Sequence, residues 1–202
     1  MPSQRRLRPI VGPKFHHTTF ATLHLDEMVS FYEKVAGLEP VYYAAEQGAW
    51  LTNDEANHRI ALLALPGLKA PEDKGHTTGL HHTAFEYGDF DQWIDNYVRL
   101  RDEGIVPFLN LDHGMTMSMY YQDPEGNGVE IQVDGFGSWS KGKEWMWASE
   151  EFGANPIGVH FDPEQILAAH RAGLPFEEIH ARSRNAEYEP PVKPDVHLPE
   201  LW

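Results

Sequence analysis

Apolar residues along the chain switch between strand-like and helix-like spacing, and they do so twice in the same order. The first β-type run, 18–25, is followed by a stretch with apolar residues every three or four positions, which predicts an amphipathic helix. The apolar face of this helix consists of Met28, Phe31, Tyr32 and Val35. We expect Asp26 to be its N-cap and Gly37 to end it, because a short acidic side chain caps free amide groups and glycine accepts the left-handed backbone at a helix end.

A second β-type run, 83–87, precedes a second predicted helix, which is expected to begin after Asp89 and to end at Gly104. Its apolar face consists of Phe90, Trp93, Ile94, Tyr97 and Leu100. Three strand-like segments follow each helix: 40–45, 49–52 and 59–65 in the first unit, and 106–111, 116–122 and 128–133 in the second. Each unit is therefore predicted to be βαβββ.

The two units share a short sequence as well as a pattern. The five residues from His16 recur, with one change, from His81, about 65 positions later. A duplication is the simplest interpretation, and it predicts an α+β protein. The expected parts are an N-terminal segment, a first βαβββ module, a linker and a second βαβββ module, at 1–14, 15–66, 67–79 and 80–135.

The remaining segment, 136–202, resembles neither unit and is predicted to be a partly helical, Pro-rich extension. Helices are expected at 143–152 and 163–172. The stretch 185–202 contains four prolines, so we expect it to be extended, either packing on the body or reaching a partner subunit. Three tryptophans of the extension either cap an aromatic pocket or pack the tail. They are Trp139, Trp145 and Trp147.

Composition narrows the function classes. The chain has 202 residues, 41% of them hydrophobic, which is enough for a well-filled core. The formal charge of -15 argues against a nucleic-acid partner, because such binding depends on clustered basic residues. There is no cysteine, so any metal must be held by nitrogen and oxygen ligands. The basic start at Arg5, Arg6 and Arg8 lacks the apolar stretch of a signal peptide, and no run is long enough to span a membrane, so we expect a cytoplasmic protein.

The repeated histidine pair is the first candidate for chemistry. Because side chains alternate along a strand, one histidine of each pair can face the concave side of its sheet. Glu130 lies in a strand-like run between Val129 and Ile131, where a carboxylate is costly unless it meets a cation. Two histidines and one carboxylate bind non-haem Fe(II) and leave positions open for substrate and oxygen.

Structural roles are the alternative for each of these residues, since a single strand histidine is more often structural than a ligand. The occurrence of the same pair in both units, together with a flanked acid, favours a metal site. His16 and His81 are then expected to face outward. The other histidines outside this pattern are expected to be surface or helix residues; they are His24, His76, His160, His170, His180 and His197.

With these features the sequence resembles the vicinal oxygen chelate superfamily, which includes glyoxalase I, bleomycin-resistance proteins and type I extradiol dioxygenases. The resemblance covers residues 15–135. It lies in a first-strand histidine at the expected distance before a Phe-Tyr pair, a histidine that opens the second unit, and a carboxylate that follows an Asp-Pro-x-Gly turn. The resemblance implies that the two modules form one open curved barrel around a metal held by His17, His82 and Glu130.

One segment resembles the extradiol dioxygenases specifically. Their signature is matched by His113, Met119-Tyr120, Asp123-Pro124, Gly126 and Glu130, with Leu111 as a departure. The resemblance implies that His113 and Tyr120 hydrogen-bond the bound catecholate, although a strand histidine and a packed tyrosine is the structural alternative. It also implies that His58 lies near the oxygen site and stabilises the oxygen intermediate.

The implied activity is extradiol (meta) cleavage of a catechol-type ring with O2 at a mononuclear Fe(II), giving a muconic semialdehyde-type product. Mn(II) is the alternative ion, and a homo-oligomer is expected. Glyoxalase I carries a fourth ligand on the last strand of its first unit, and the segment 59–65 offers none. A glyoxalase-like isomerase and a small-molecule-binding resistance-type protein remain as alternatives. The choice between a monocyclic and a bicyclic catechol also stays open.

Overall fold

The computed structural model describes residues 12–195. The first unit comprises β1 (Thr18–Ala21), α1 (Leu25–Ala36), β2 (Glu39–Ala44), β3 (Gly48–Thr52) and β4 (Ile60–Leu63). The second comprises β5 (His82–Tyr87), α2 (Phe90–Asp102), β6 (Leu109–Asp112), β7 (Thr116–Gln122) and β8 (Gly128–Asp134). The extension comprises α3 (Trp139–Ala148), α4 (Glu150–Ala154), β9 (Val159–His160), α5 (Pro163–Arg171) and α6 (Phe176–Arg184). The α+β class and the two βαβββ units are thus confirmed.

Both units use the same strand order. The first sheet runs β1-β4-β3-β2 and the second β5-β8-β7-β6-β9. In each, the first strand pairs in parallel with the fourth, while the hairpin strands pair antiparallel. The parallel pair is possible because a helix provides the crossover that such strands need. Within residues 12–195 no strand of one unit pairs with a strand of the other, so the two sheets do not close into a barrel.

The main apolar core is shared by the two units. Helices α1 and α2 pack on their own sheets and on each other, and Tyr32 and Trp93 are both almost completely buried. The indole of Trp93 donates a hydrogen bond of 2.9 Å to the carbonyl of Ile131 on β8. Tyr32 donates to Asp123 of the β7–β8 turn, so helix α1 is tied to the second unit.

The helix ends follow the sequence signals with one exception. Gly37 ends α1 with a φ of 63°, and the Asp89 side chain accepts from the amide of Gln92 at the start of α2. The prediction that Asp26 is an N-cap was wrong: α1 begins at Leu25, and Asp26 lies in its first turn. The amide groups just before α1 are held instead by the Glu125 carboxylate, which comes from the second unit.

The extension contains more regular structure than its sequence predicted. The single helix expected at 143–152 is two helices, because Ser149 ends α3 and caps α4. Strand β9 and helix α6 were not predicted; β9 pairs with the edge strand β6. Of the Pro-rich stretch, the described part packs on the body, where the carbonyl of Tyr188 accepts from the amide of Asp162. Arg5, Arg6, Arg8 and His197 lie outside the described residues.

In the part of the chain that the structure describes, no helix is both long and apolar enough to cross a membrane.

Candidate metal centre

His82 and Glu130 meet on the two parallel strands of the second sheet. His82 opens β5, and its Nε2 atom lies 2.9 Å from Oε2 of Glu130 on β8. The residue paired with His82 is Gly128, where a Cβ atom would lie 2.9 Å from the carbonyl of His81 and 3.0 Å from Cβ of His82. A side chain at position 128 would therefore displace His82. The strand register and this glycine together place an imidazole beside a carboxylate that is only 7% exposed.

Tyr120 and His113 adjoin this pair. Tyr120 lies opposite Glu130 in the antiparallel pairing of β7 and β8. Its hydroxyl is 2.8 Å from Nε2 of His113, and that nitrogen is 4.0 Å from Oε1 of Glu130. The rings of His82 and Tyr120 pack edge to face with centroids 5.3 Å apart. Four of the six candidate residues thus gather on one sheet.

The surroundings of these groups set their protonation. Burial by itself would raise the pKa of Glu130, but hydrogen bonds from His82 and Ser118 and the charges of His82 and His113 outweigh it and lower the pKa. Burial and the nearby charge of Glu130 raise the pKa of Tyr120. Burial lowers the pKa of His113. These shifts favour an anionic carboxylate at Glu130, a neutral imidazole at His113 and a neutral phenol at Tyr120.

The other two candidate residues, His17 and His58, form a second cluster with His16 in the first unit. One ring nitrogen from each of the three lies within 4.8 Å of the others, and no other triad of acidic or histidine side chains meets this criterion in residues 12–195. The ring centroids of His17 and His58 are 4.4 Å apart. Burial and the charges of His17 and His16 lower the pKa of His58. His16, expected to face outward, lies 3.0 Å from His17 between their Nδ1 atoms.

The structure therefore places the three predicted ligands in two locations within one chain. His82 and Glu130 are in contact, whereas His17 is grouped with His16 and His58. Among the described residues, His17, His82 and Glu130 do not form a group whose ligand atoms all lie within 4.8 Å of one another. His81, also expected to face outward, places its Nδ1 atom 2.8 Å from Nδ1 of His82.

A buried pair behind His113 was missed by sequence reasoning. His180, expected to be a surface or helix residue, lies in α6, but its side chain is only 5% exposed, and Nε2 is 3.2 Å from Oδ1 of Asp112. The available signal was Asp112 itself, an acid next to His113 in a strand-like run. Its histidine partner could not be identified because α6 was not predicted.

A cavity of about 550 Å³ opens beside Tyr120. Phe108 and Leu80 provide apolar lining, and the segment 72–80 forms one wall. Phe108 packs near Tyr120 with ring centroids 6.4 Å apart. The space is large enough to hold one or two aromatic rings beside the carboxylate site.

The tryptophans of the extension lie elsewhere. Trp145 packs against Phe136 and Phe152 and lies beneath the guanidinium of Arg184. Trp139 and Trp147 are exposed. Only Trp145 therefore belongs to the packed interior of the extension.

Comparison with known proteins places this geometry in context. The family model described as Glyoxalase/Bleomycin resistance protein/Dioxygenase superfamily matches residues 14–131. Biphenyl-2,3-diol 1,2-dioxygenase 3 of Rhodococcus globerulus is 39% identical over 173 residues, which cover 86% of this chain and 90% of that protein. Biphenyl-2,3-diol 1,2-dioxygenase 2 of the same organism is 38% identical over 83% of this chain and 86% of its own length. Among solved structures, a lactoylglutathione lyase from Agrobacterium tumefaciens aligns with 61% of this chain and 95% of its own, with a TM-score of 0.48 and 21% identity.

Proposed function

The chain belongs to the glyoxalase/bleomycin resistance protein/dioxygenase superfamily, and we propose that it is an extradiol dioxygenase that cleaves a catechol-type ring with O2. The observation that carries this proposal is the group formed by His82, Glu130, His113 and Tyr120. In it, a buried carboxylate contacts one imidazole, while a second imidazole and a phenol are hydrogen-bonded to each other beside it. Relatives named as dioxygenases of an aromatic diol align over most of the chain and support the same activity.

A divalent metal fits the chemistry of this group. Burying an anionic carboxylate is costly unless a cation or several hydrogen bonds compensate it, and the donors here are the nitrogen and oxygen types that Fe(II) accepts. We propose Fe(II) as the ion, with Mn(II) as the alternative, held by His17, His82 and Glu130. When bound, the ion would hold the diol and would provide a path for electrons from the diol to O2.

The chain's own residues would then manage protons. Nε2 of His113 and the hydroxyl of Tyr120 lie next to the carboxylate, where a catechol hydroxyl would arrive. Because its pKa is raised, the Tyr120 phenol stays protonated, and its hydrogen would turn from Nε2 of His113 to a catecholate oxygen when the substrate binds. His113, whose pKa is lowered, is neutral and can accept the hydroxyl proton. His58 would hold a proton near the oxygen that attacks the ring, giving a muconic semialdehyde-type product.

The position of His17 leads to the proposed assembly. Because His17 and His58 lie in an exposed cluster apart from His82 and Glu130, a three-ligand site requires the two clusters to meet. We propose a homo-oligomer in which the His17 cluster of one copy faces the His82–Glu130 pair of another. Exposed apolar side chains on the edge strand β2, such as Val41 and Tyr42, provide surface for such contact.

Ring cleavage is favoured over isomerisation by the composition of β4. This strand, Ile60–Leu63, contains no acid or amide side chain that could act as a fourth ligand. Three protein ligands leave room for a chelating diol and for O2 at the same ion. A cytoplasmic location is proposed as well, because a reducing compartment keeps iron in the Fe(II) state.

Oxygen uptake tests the function directly. The purified chain is loaded anaerobically with Fe(II) and mixed with catechol or 2,3-dihydroxybiphenyl in air-saturated buffer. We expect stoichiometric O2 consumption and a yellow product, both abolished by His82→Ala. Metal binding without uptake across a panel of catechols would contradict the proposal and favour an isomerase.

A further inference from the structure

A short segment of the extension lies directly behind His113. We call residues 155–160 the strap; it connects α4 to α5 and includes β9. The side chain of Ile157 packs on the small apolar cluster that contains Leu111 and Tyr120. Its carbonyl oxygen is 2.6 Å from Nδ1 of His113. The strap therefore contacts the proposed proton acceptor on the side opposite the carboxylate site.

The chemistry of this contact determines where the proton of His113 lies. A carbonyl oxygen can only accept a hydrogen bond, so Nδ1 of His113 must carry the hydrogen. In a neutral imidazole the other nitrogen, Nε2, then carries no hydrogen and acts as an acceptor. That nitrogen is the one that lies 2.8 Å from the Tyr120 hydroxyl and faces Glu130. The strap thus favours the tautomer in which His113 can accept a proton from a substrate.

The strap is held in place by contacts that leave it little freedom. Its first residue, Asn155, accepts from the amides of Ile157 and Gly158 and donates to the carbonyl of Gly158 at 2.7 Å. Gly158 has a φ of 97°, and a Cβ atom there would lie 2.0 Å from the carbonyl oxygen of Asp112. Strand β9 then pairs with β6, the strand that leads into His113.

A second anchor fixes the turn that carries His113. Oδ1 of Asp112 accepts from the amide of Gly114 at 2.9 Å and lies 3.2 Å from Nε2 of His180. The His180 ring is packed between Phe136 and Phe176. Asp112 and His180 are both almost fully buried, so α6 holds the β6–β7 turn from behind.

We propose that the extension is a positioning element for the reaction: the strap fixes His113 as the Nδ1–H tautomer, and the Asp112–His180 pair fixes the turn that carries it. The mechanistic consequence rests on the proposed function, but the tautomer does not. In this proposal Asn155 and His180 act through His113 and touch no substrate.

Nitrogen NMR of the histidine rings measures the tautomer without any activity assay. The full-length chain, labelled with 15N and assigned by comparison with His113→Gln, is studied with and without Zn2+ as a diamagnetic ion. We expect His113 of the unaltered chain to be in the Nδ1–H form. A His113 in the Nε2–H form would overturn the inference, whatever the chain catalyses.

Variants then test the role of the strap. Asn155→Ala removes the bonds that shape it, so His113 should become a mixture of tautomers while the folded spectrum is retained. The matched control is Asn185→Ala, because Asn155 and Asn185 both line a second, smaller cavity behind His113, but the Asn185 side chain bonds only to the carbonyl of Ala181. With a catechol substrate, kcat should fall by about tenfold in Asn155→Ala with little change in KM. This loss is smaller than the full contribution of a general base, because part of the His113 population keeps the productive tautomer. An unshifted tautomer in folded Asn155→Ala would contradict the role of the strap. A shifted tautomer in a chain that never consumes O2 would contradict only the proposed function.

Discussion

Nε2 of His82 lies 2.9 Å from Oε2 of Glu130, and this contact joins the first residue of β5 to the third residue of β8. The parallel register of the two strands brings these atoms together from positions 48 residues apart. The carboxylate is 7% exposed and the imidazole 32%, so the pair has one buried and one accessible member. In such a pair the exposed imidazole can receive an ion from solvent, and the buried carboxylate can bind it in an environment of low dielectric constant.

Glu130→Gln should therefore abolish metal binding while preserving the fold. The substitution keeps the shape of the side chain but removes its charge. The affinity for Fe(II) should fall by at least about 100-fold, because even the loss of a residue that only hydrogen-bonds to a metal ligand lowers metal affinity by up to about that factor. Metal content after dialysis measures the effect. Glu86→Gln is the matched control, since Glu86 is an exposed acid on the same sheet. Full metal occupancy in Glu130→Gln would exclude this residue as a ligand.

Variants of two adjacent tyrosines distinguish a catalytic role of the hydroxyl group from a packing role. Tyr120→Phe removes the hydroxyl that bonds to His113 and should lower kcat by about 10- to 100-fold, with a loss of about 1 kcal/mol in the free energy of unfolding. Tyr121→Phe removes a hydroxyl whose hydrogen-bond partner is the Met119 sulfur, 3.9 Å away, and should leave kcat unchanged. Steady-state kinetics and thermal unfolding of both variants check this. Equal kcat losses would indicate that packing alone explains the effect of position 120.

Mixing two inactive variants tests the proposed shared site. His17→Ala and His82→Ala should each lack activity, because each removes a proposed metal ligand. If each site takes its ligands from two copies in a dimer, unfolding and refolding an equimolar mixture of the two variants should restore about a quarter of the normal activity. Half of the refolded dimers contain one copy of each variant, and one of the two sites in such a dimer is intact. Oxygen uptake by the refolded mixture measures it. No recovery in a mixture that does form mixed dimers would place all three ligands in one chain.

Glu125 links the two units in a pH-dependent way. Burial opposes its charge, but bonds from Thr22 and from the amides of Leu23 and His24, with the charge of His24, outweigh this and lower its pKa. An acid with a lowered folded pKa stabilises the fold above its unfolded pKa of about 4.3, and this stabilisation is lost as the pH falls through the folded value. Glu125→Gln should thus lower the free energy of unfolding by about 1 to 3 kcal/mol at pH 7.

The difference between Glu125→Gln and the unaltered chain should shrink as the pH drops below about 4. Urea unfolding at several pH values measures this. Glu27→Gln, an exposed position on α1, should have no comparable effect. A difference that stays constant down to pH 3 would mean that the charge of Glu125 does not contribute.

Local signals in the sequence were sufficient for the two repeated units. The strand expected at 116–122 is β7 as observed, and Gly37 ends α1 because only its backbone accepts the left-handed conformation at low cost. The start of α1 could not be predicted, since the amides just before it are satisfied by Glu125, about a hundred residues further along the chain. Long-range partners of this kind leave no local pattern.

The candidate site was predictable in its members but only partly in its geometry. The repeat indicated one histidine of the second pair, the flanking apolar residues indicated Glu130, and the family resemblance selected His82, His113 and Tyr120. The structure brings these four residues together. These signals did not indicate that His17 and His58 would form a separate group, because spacing along a chain does not determine how two units are placed relative to each other. The role of His180 depends on helix α6, whose short amphipathic stretch follows Pro175 without a distinctive N-cap signal.

Strand pairing within the described residues never crosses from one unit to the other. A cut in the backbone between residues 66 and 72 would therefore leave every hydrogen bond of both sheets within its own polypeptide, with the shared core of α1 and α2 to join the pieces. The chain is thus suited to conversion into a two-component catalyst. Oxygen chemistry in such a catalyst would begin only when separately produced halves are combined.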